Sequence, residues 1–176
     1  PPIGYLELVE AAKSHPHYLS TLDGSNRGRG VASGLWLNGS GPASATASVN
    51  ADGTISLVEG SPDIGGTRST AAMQLAEVLG ISAEDVCPMI GDTDSIGYTS
   101  MTGGSSVTFK TGYACYEAAQ DIVRQMVQRA AVIWEVDPGE VTFAKGVFTH
   151  NNDPALRLSF KELAAKLNGT GGPIVG

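Results

Sequence analysis

Thr54-Ile-Ser-Leu-Val58, Asp63-Ile-Gly-Gly-Thr67 and Ser69-Thr-Ala-Ala-Met-Gln-Leu-Ala-Glu-Val-Leu-Gly80 follow one another with almost no spacer, and their reading decides the fold. The first piece alternates apolar and polar residues, the signature of a half-buried strand. The last sets Ala72, Leu75, Ala76 and Leu79 on one helical face and ends at Gly80, which is placed to serve as a left-handed stop. Upstream, Ala43–Val49 alternates in the same way, and Asn50-Ala-Asp-Gly53 is turn chemistry. The spacing therefore predicts a hairpin over 43–58 with Val49, Ile55 and Leu57 on one side.

Downstream, Ser82-Ala-Glu-Asp85 resembles a capping turn leading into a strand over Val86–Ile90. Gly91-Asp-Thr-Asp94 follows it, and then a second glycine-rich loop, Thr102-Gly-Gly-Ser-Ser106. The longest periodic element spans Val107 to Glu135. Cys115, Ala118, Ala119, Ile122, Met126, Ala130 and Ile133 recur on one face, and Asp121, Arg124, Gln125 and Gln128 on the other. Val136-Asp-Pro-Gly139 ends it. A second hairpin is expected from Val141–Phe143 and Val147–His150, and Ser159 caps a last helix reaching Leu167. Before the first hairpin, Ile3 to Tyr18 reads as an amphipathic helix, residues 23–30 as a loop and Val31–Leu37 as a strand. Strands and helices mix without regular alternation, so the expected class is α+β, with hairpins packed against helices in two layers. Hairpin-then-helix at 43–79 and again at 141–167 is too weak an echo to call a repeat.

Composition excludes several functions. The net charge of −7 argues against nucleic acid and anionic membrane as partners, since phosphate contacts need clustered Lys and Arg. Only 16% of residues are charged, low for a free-standing surface, where about 25% is usual. No apolar run is long enough to span a membrane, and no signal peptide is visible. Cys87 and Cys115 fit no zinc spacing and make a poor disulfide scaffold, so a reducing, cytoplasmic setting is expected. The periplasm stays open as the alternative, because a targeting segment is not observable. The missing start methionine and the abrupt Pro173-Ile-Val-Gly176 lead us to expect one domain or lobe over 1–176, excised from a longer polypeptide.

The two glycine loops carry the functional argument. A helix that opens in a glycine turn offers free N–H groups and the positive end of its dipole, which favour an anion or a polar ligand edge. Two such openings suggest a bipartite cradle for one large polar ligand. Neither loop has the third glycine of a dinucleotide fingerprint or the lysine of a nucleotide P-loop. For the first loop, a tight turn and a ligand contact weigh equally; for Thr102–Ser106 the ligand reading is favoured, because small residues let a ligand approach the backbone. Arg68 is equally a phosphate contact and a solvated first-turn arginine. Asp92 and Asp94 read as turn caps rather than a metal pair, and His15, His17 and His150 as surface or partner-contact residues. Tyr98 and Met101 border a pocket or belong to the core. No catalytic set and no metal ligand set is recognisable.

Taken together, the blocks Asp52–Gly60, Asp63–Thr67, Gln74–Gly80, Gly91–Asp94, Thr102–Ser105 and Gly112-Tyr-Ala114 resemble the molybdopterin-binding region of the molybdenum hydroxylases. These are the large subunits of the xanthine dehydrogenase, aldehyde oxidase and carbon monoxide dehydrogenase type. Gly30–Gly34 and Val136–Phe143 also resemble the family. The resemblance implies a lobe of a molybdenum-cofactor-binding domain. It further implies molybdenum held by a molybdopterin, in its cytosine dinucleotide form, with FAD and [2Fe-2S] clusters on partner subunits or domains. The implied reaction is hydroxylation of a small-molecule substrate, an aldehyde or N-heterocycle, with oxygen from water and electrons leaving through iron–sulfur clusters to flavin.

Carried over by position, the first cofactor loop falls on Ile64, Gly65, Gly66, Thr67 and Arg68, with Thr70 adding a hydroxyl. The second falls on Thr102, Gly103, Gly104, Ser105 and Ser106, with Gly104 nearest the metal. Two departures stand out: Gly66 occupies the place of a glutamine found in many relatives, and Ser106 that of an arginine. The family's catalytic glutamate belongs to a glycine-rich context that neither Glu135 nor Glu162 has, so the chain is expected to be inactive alone. Two other classes remain open: a binding or assembly module that has lost the metal site, and a domain for some other phosphorylated ligand.

Overall fold

The computed structural model describes residues 4–176, which divide into two compact units, residues 4–35 and residues 36–176. In the first unit the expected helix is two: α1, Tyr5–Ser14, and α2, Pro16–Leu19. Pro16 breaks the run, because proline pushes the preceding residue out of the helical region, and His15 is extended at φ −68° and ψ 135°. Ile3, at the start of the expected helix, lies outside the described residues. No described residue of this unit is buried, and Leu6 and Leu8 lie exposed. Arg29 ties the unit together by donating to the carbonyls of Tyr18 and Ser20.

The expected strand at Val31–Leu37 is not formed; no regular element occupies residues 27–44, and Val31, Leu35, Trp36 and Leu37 are exposed. Among the described residues, β-propensity there meets no neighbouring strand to pair with.

In the second unit β1, Ala45–Val49, and β2, Ile55–Glu59, form the predicted antiparallel hairpin, with Val49 opposite Ile55 and Ala47 opposite Leu57. All four are buried. Asp52 braces the turn by accepting from the Thr54 hydroxyl at 2.7 Å and N–H at 2.9 Å, and the hydroxyl above all holds its carboxyl below the usual range. The chain then runs into α3, Thr67–Leu79, which Gly80 closes at φ +63°. Ser82 caps a 3-10 turn ahead of β3, Val86–Ile90, and β3 pairs parallel with β2.

α4, Val107–Trp134, packs against α3 and lies across β1. β4, Val141–Ala144, and β5, Val147–His150, make the second hairpin through Lys145 and Gly146, both at positive φ as a type I′ turn requires. α5, Phe160–Ala164, begins at Ser159 in a capping box with Glu162, and stops three residues short of the expected Leu167. Two short strands escape sequence periodicity: β6, Arg157–Ser159, and β7, Ile174–Val175.

The result is a four-stranded mixed sheet of order β3-β2-β1-β7 and a three-stranded antiparallel sheet of order β4-β5-β6, with helices packed on them. This is the α+β class expected. One core joins the layers through Leu57, Leu75, Leu79, Ile122, Met126, Phe148 and Leu163. Cys115 sits inside it, and burial pushes its thiol up to about 12, so it is inert. No helix among the described residues is long and apolar enough to cross a membrane.

Candidate functional site

The first glycine loop turns through two successive left-handed residues, Gly65 at φ +64° and Gly66 at φ +87°, and enters α3 at once. Asp63 caps the helix across the glycine pair. It accepts the Arg68 N–H at 3.3 Å, and its second oxygen lies 3.6 Å from Arg68 Nε. Thr67 Oγ1 accepts the Ile64 N–H at 3.0 Å. A Cβ on Gly65 or Gly66 would meet nothing within 4 Å, so conformation, not crowding, demands glycine there.

The second loop repeats the pair of positive angles with Gly104 at φ +63° and Ser105 at φ +55°. A serine in this region is strained by about 1–2 kcal/mol, the kind of cost that collects at working sites. Ser106, the residue before α4, donates to the Gly103 carbonyl at 2.7 Å. This loop is pressed against its neighbours. A Cβ on Gly104 would lie 3.2 Å from the Cα of Gly39, whose N–H donates to the Gly104 carbonyl.

Both loops face one cavity of about 350 Å³, lined by Ile64, Thr67, Thr102, Gly103, Ser105, Ser106, Val107 and Thr108. Its walls are the starts of α3 and α4, with four hydroxyl-bearing residues from the sequence-predicted set among them. Gly65, Gly66, Arg68, Thr70 and Gly104 shape the loops without lining this cavity. Arg68 is occupied with Asp63, and Thr70 donates back to the Gly66 carbonyl at 3.3 Å. The geometry suits a polar, anionic ligand edge: helix-start N–H groups, hydroxyls, and glycines with open space in front of them. The volume is at the low end of the ~300–1,000 Å³ typical of small-molecule sites, enough for part of a dinucleotide-sized group.

Buried polar residues flank the two loops in sequence, and sequence reading did not single them out. Glu59 is 1% exposed and accepts the Ser61 N–H at 2.7 Å; burial pushes its carboxyl above the ordinary range. Ser61 and Thr111, both buried, share a 2.6 Å hydroxyl–hydroxyl bond. Lys110 is 4% exposed and donates to the Ser100 and Met101 carbonyls and the Ser100 hydroxyl. The available signal was a lysine and a threonine at positions 110 and 111, just inside a helix that opens on a glycine loop.

Other candidates fall elsewhere. Asp92 accepts the N–H groups of Asp94 and Ser95 at 3.0 and 2.8 Å, a turn cap as expected, and bonds from Ser95 and Asp94 hold its carboxyl low. Tyr98 lines a separate cavity with Gly60 and Asp92, and both Tyr98 and Met101 are exposed rather than core. His15 and His17 are exposed, but His150 is buried on β5 and not a surface residue. Its partner across the hairpin is Val141, so strand alternation turns it inward. Among the described residues no three His, Cys, Asp or Glu side chains group to hold a metal ion.

A family model described as the molybdopterin cofactor-binding domain matches residues 6–175. Among solved structures, the chain is similar to the Cu,Mo-CO dehydrogenase in its carbon monoxide reduced state, with TM-score 0.70 and 29% identity over 77% of this chain. It is also similar to a reconstituted CO dehydrogenase from Oligotropha carboxidovorans, with TM-score 0.69, 29% identity and the same coverage. Quinoline 2-oxidoreductase from Pseudomonas putida 86, at 20% identity over 76% of this chain and TM-score 0.62, shares the fold. The chain spans 18% of the length of each of these three. It belongs to the molybdopterin cofactor-binding domain family.

Proposed function

With that membership as premise, we propose that the chain is one lobe, excised from a large subunit, of the cofactor domain of a molybdenum hydroxylase. That oxidoreductase would oxidise aldehydes or N-heterocycles with oxygen drawn from water. The observation that carries the reading is the convergence of two glycine-hinged helix starts on one cavity. The pterin and its phosphates would be met by Ile64–Arg68, Thr70 and Thr102–Ser106, and the cofactor would be the cytosine dinucleotide form. When bound, the group supplies a metal centre for oxygen and electron transfer. This chain's residues bind and orient it: N–H groups and the hydroxyls of Thr67, Thr102, Ser105 and Ser106 fix the polar edge, while the glycines admit close approach.

The described residues offer no base at the cavity. Glu59 is buried at the end of β2, Glu135 terminates α4, and Glu162 is spent in the Ser159 capping box, which holds its carboxyl low. The base would come from elsewhere in the large subunit, so the lobe alone would be inactive. Iron–sulfur and flavin subunits or domains would be its partners, in the cytoplasm.

The test is molybdenum and pterin content of the full-length protein, purified with its genomic neighbours from a host that makes the cofactor. Near-stoichiometric molybdenum with a cytosine dinucleotide is expected. Absence of both would overturn the reading and favour a binding module that has lost its metal site, for which bare Gly66 is the supporting observation.

A further inference from the structure

The two loops are held from one place. Lys110 and Thr111 are consecutive residues near the start of α4, and both are buried. Thr111 grips Ser61, two positions before Asp63 of the first loop. Lys110 Nζ donates to the Ser100 carbonyl at 2.6 Å, the Ser100 hydroxyl at 2.8 Å and the Met101 carbonyl at 2.8 Å, at the entrance of the second loop. An ammonium has three hydrogens, so every donor is placed.

All three acceptors are neutral. The ion pairs among the described residues are Lys13–Glu10, Arg68–Asp63 and Arg124–Asp121, and none involves Lys110. Glu117 and Asp121 line the same cavity as Lys110 without pairing with it. Burying a cation without a direct partner is costly, and an anion arriving nearby would offset that cost. The second loop starts at the residue after Met101. At about 3.8 Å per residue, Gly104 is no more than about 11 Å from Met101; this exceeds the Debye length of about 8 Å at physiological salt, but a buried charge is screened much less than an exposed one.

We propose that Lys110 is a positioning residue for the ligand of the glycine-loop cavity. It holds the second loop in place opposite the first, and it supplies the fixed positive charge that favours a phosphorylated ligand over a neutral one. The inference rests on the cofactor reading above.

The experiment compares wild type, Lys110→Met and Lys110→Arg in the full-length protein with its partner subunits. Molybdenum and pterin per polypeptide are measured before and after a high-salt wash. Hydrogen exchange is followed across residues 100–108 in protein from a cofactor-deficient host. Lys110→Met is expected to retain about tenfold less molybdenum, with faster exchange confined to 100–108. Lys110→Arg, which keeps charge and donors, is expected to retain most of the wild-type content.

Wild-type retention by Lys110→Met overturns the proposal. So does faster exchange spread evenly through α4, β1 and β2, which would make Lys110 an ordinary core residue. If Lys110→Met does not fold, Lys110→Gln takes its place; it keeps two donors without charge and should protect the loop yet lose molybdenum in salt. Wild-type retention by Lys110→Gln overturns the electrostatic part. Wild-type protein without molybdenum or pterin instead overturns the cofactor reading, and the exchange measurement then decides the positioning role by itself.

Discussion

The two glycine loops look alike in sequence and are built for different reasons. In Ile64–Arg68 the glycines turn the chain into the left-handed region while facing open space; Asp63 and Thr67 brace the loop internally, and Thr111 holds its approach at Ser61. In Thr102–Ser106 the backbone is pressed against Gly39, and Lys110 fixes the two residues that lead into it, Ser100 and Met101. The first loop is free in front, whereas the second is crowded by Gly39. A glycine pair in sequence therefore reports that a side chain is unwelcome, without saying whether torsion or contact excludes it.

Substitutions can pull these causes apart, and Gly104→Ala should have the largest effect. It adds strain at φ +63° and a contact with Gly39, so a loss of about 3 kcal/mol is expected in urea unfolding. A loss no greater than that of Gly66→Ala would break the comparison. Thr111→Val removes the partner of the buried Ser61 hydroxyl and should cost about 2 kcal/mol, with the Ser61→Ala/Thr111→Val double variant losing less than the sum of the singles. Strict additivity would mean that the two hydroxyls do not interact.

Gly66→Ala meets only the torsional penalty at φ +87°, about 1–2 kcal/mol. Glu59→Gln sharpens the picture beneath the first loop. Its folded pKa is raised, so its contribution is fully present below the ordinary carboxylate pKa and is lost as pH rises through the folded value. The variant should melt higher than wild type at neutral pH and lose that advantage in acid; parallel curves of Tm against pH would refute the assignment. Gly103→Ala has neither cause acting on it, with ordinary φ and open space, and should change stability by less than about 0.5 kcal/mol.

Much of this architecture was legible in the chain. The alternation around Val49, Ile55 and Leu57, the single face of α4 and the stop at Gly80 each follow from local periodicity and torsion, and each stands where expected. What failed needed a neighbour. Val31–Leu37 has strand-like composition and no pairing partner among the described residues; β6 and β7 are too short to show a period and exist because β5 and β1 are beside them. His150 looked like a scattered surface histidine until its register opposite Val141 turned it inward. At the site, both loops could be read from glycine placement, but their convergence on one cavity could not. Lys110 and Thr111 were hidden for a related reason: each bonds a residue outside the helix, and helical periodicity carries no trace of that.

The two clamps also differ in how far they reach along the chain. Lys110 closes on Ser100 across ten positions, whereas Thr111 closes on Ser61 across fifty. Loop-closure entropy makes the longer closure about 1.4 kcal/mol dearer, so in a refolding chain the Lys110 clamp at the entrance of the second loop closes as soon as α4 forms, ahead of the Thr111 clamp. The first loop takes its place only once the β1–β2 hairpin and α4 have docked. Assembly thus has an order, with the second wall standing before the first. Pulse-labelled exchange during refolding should show residues 100–108 protected ahead of residues 61–68, and the opposite order would refute it.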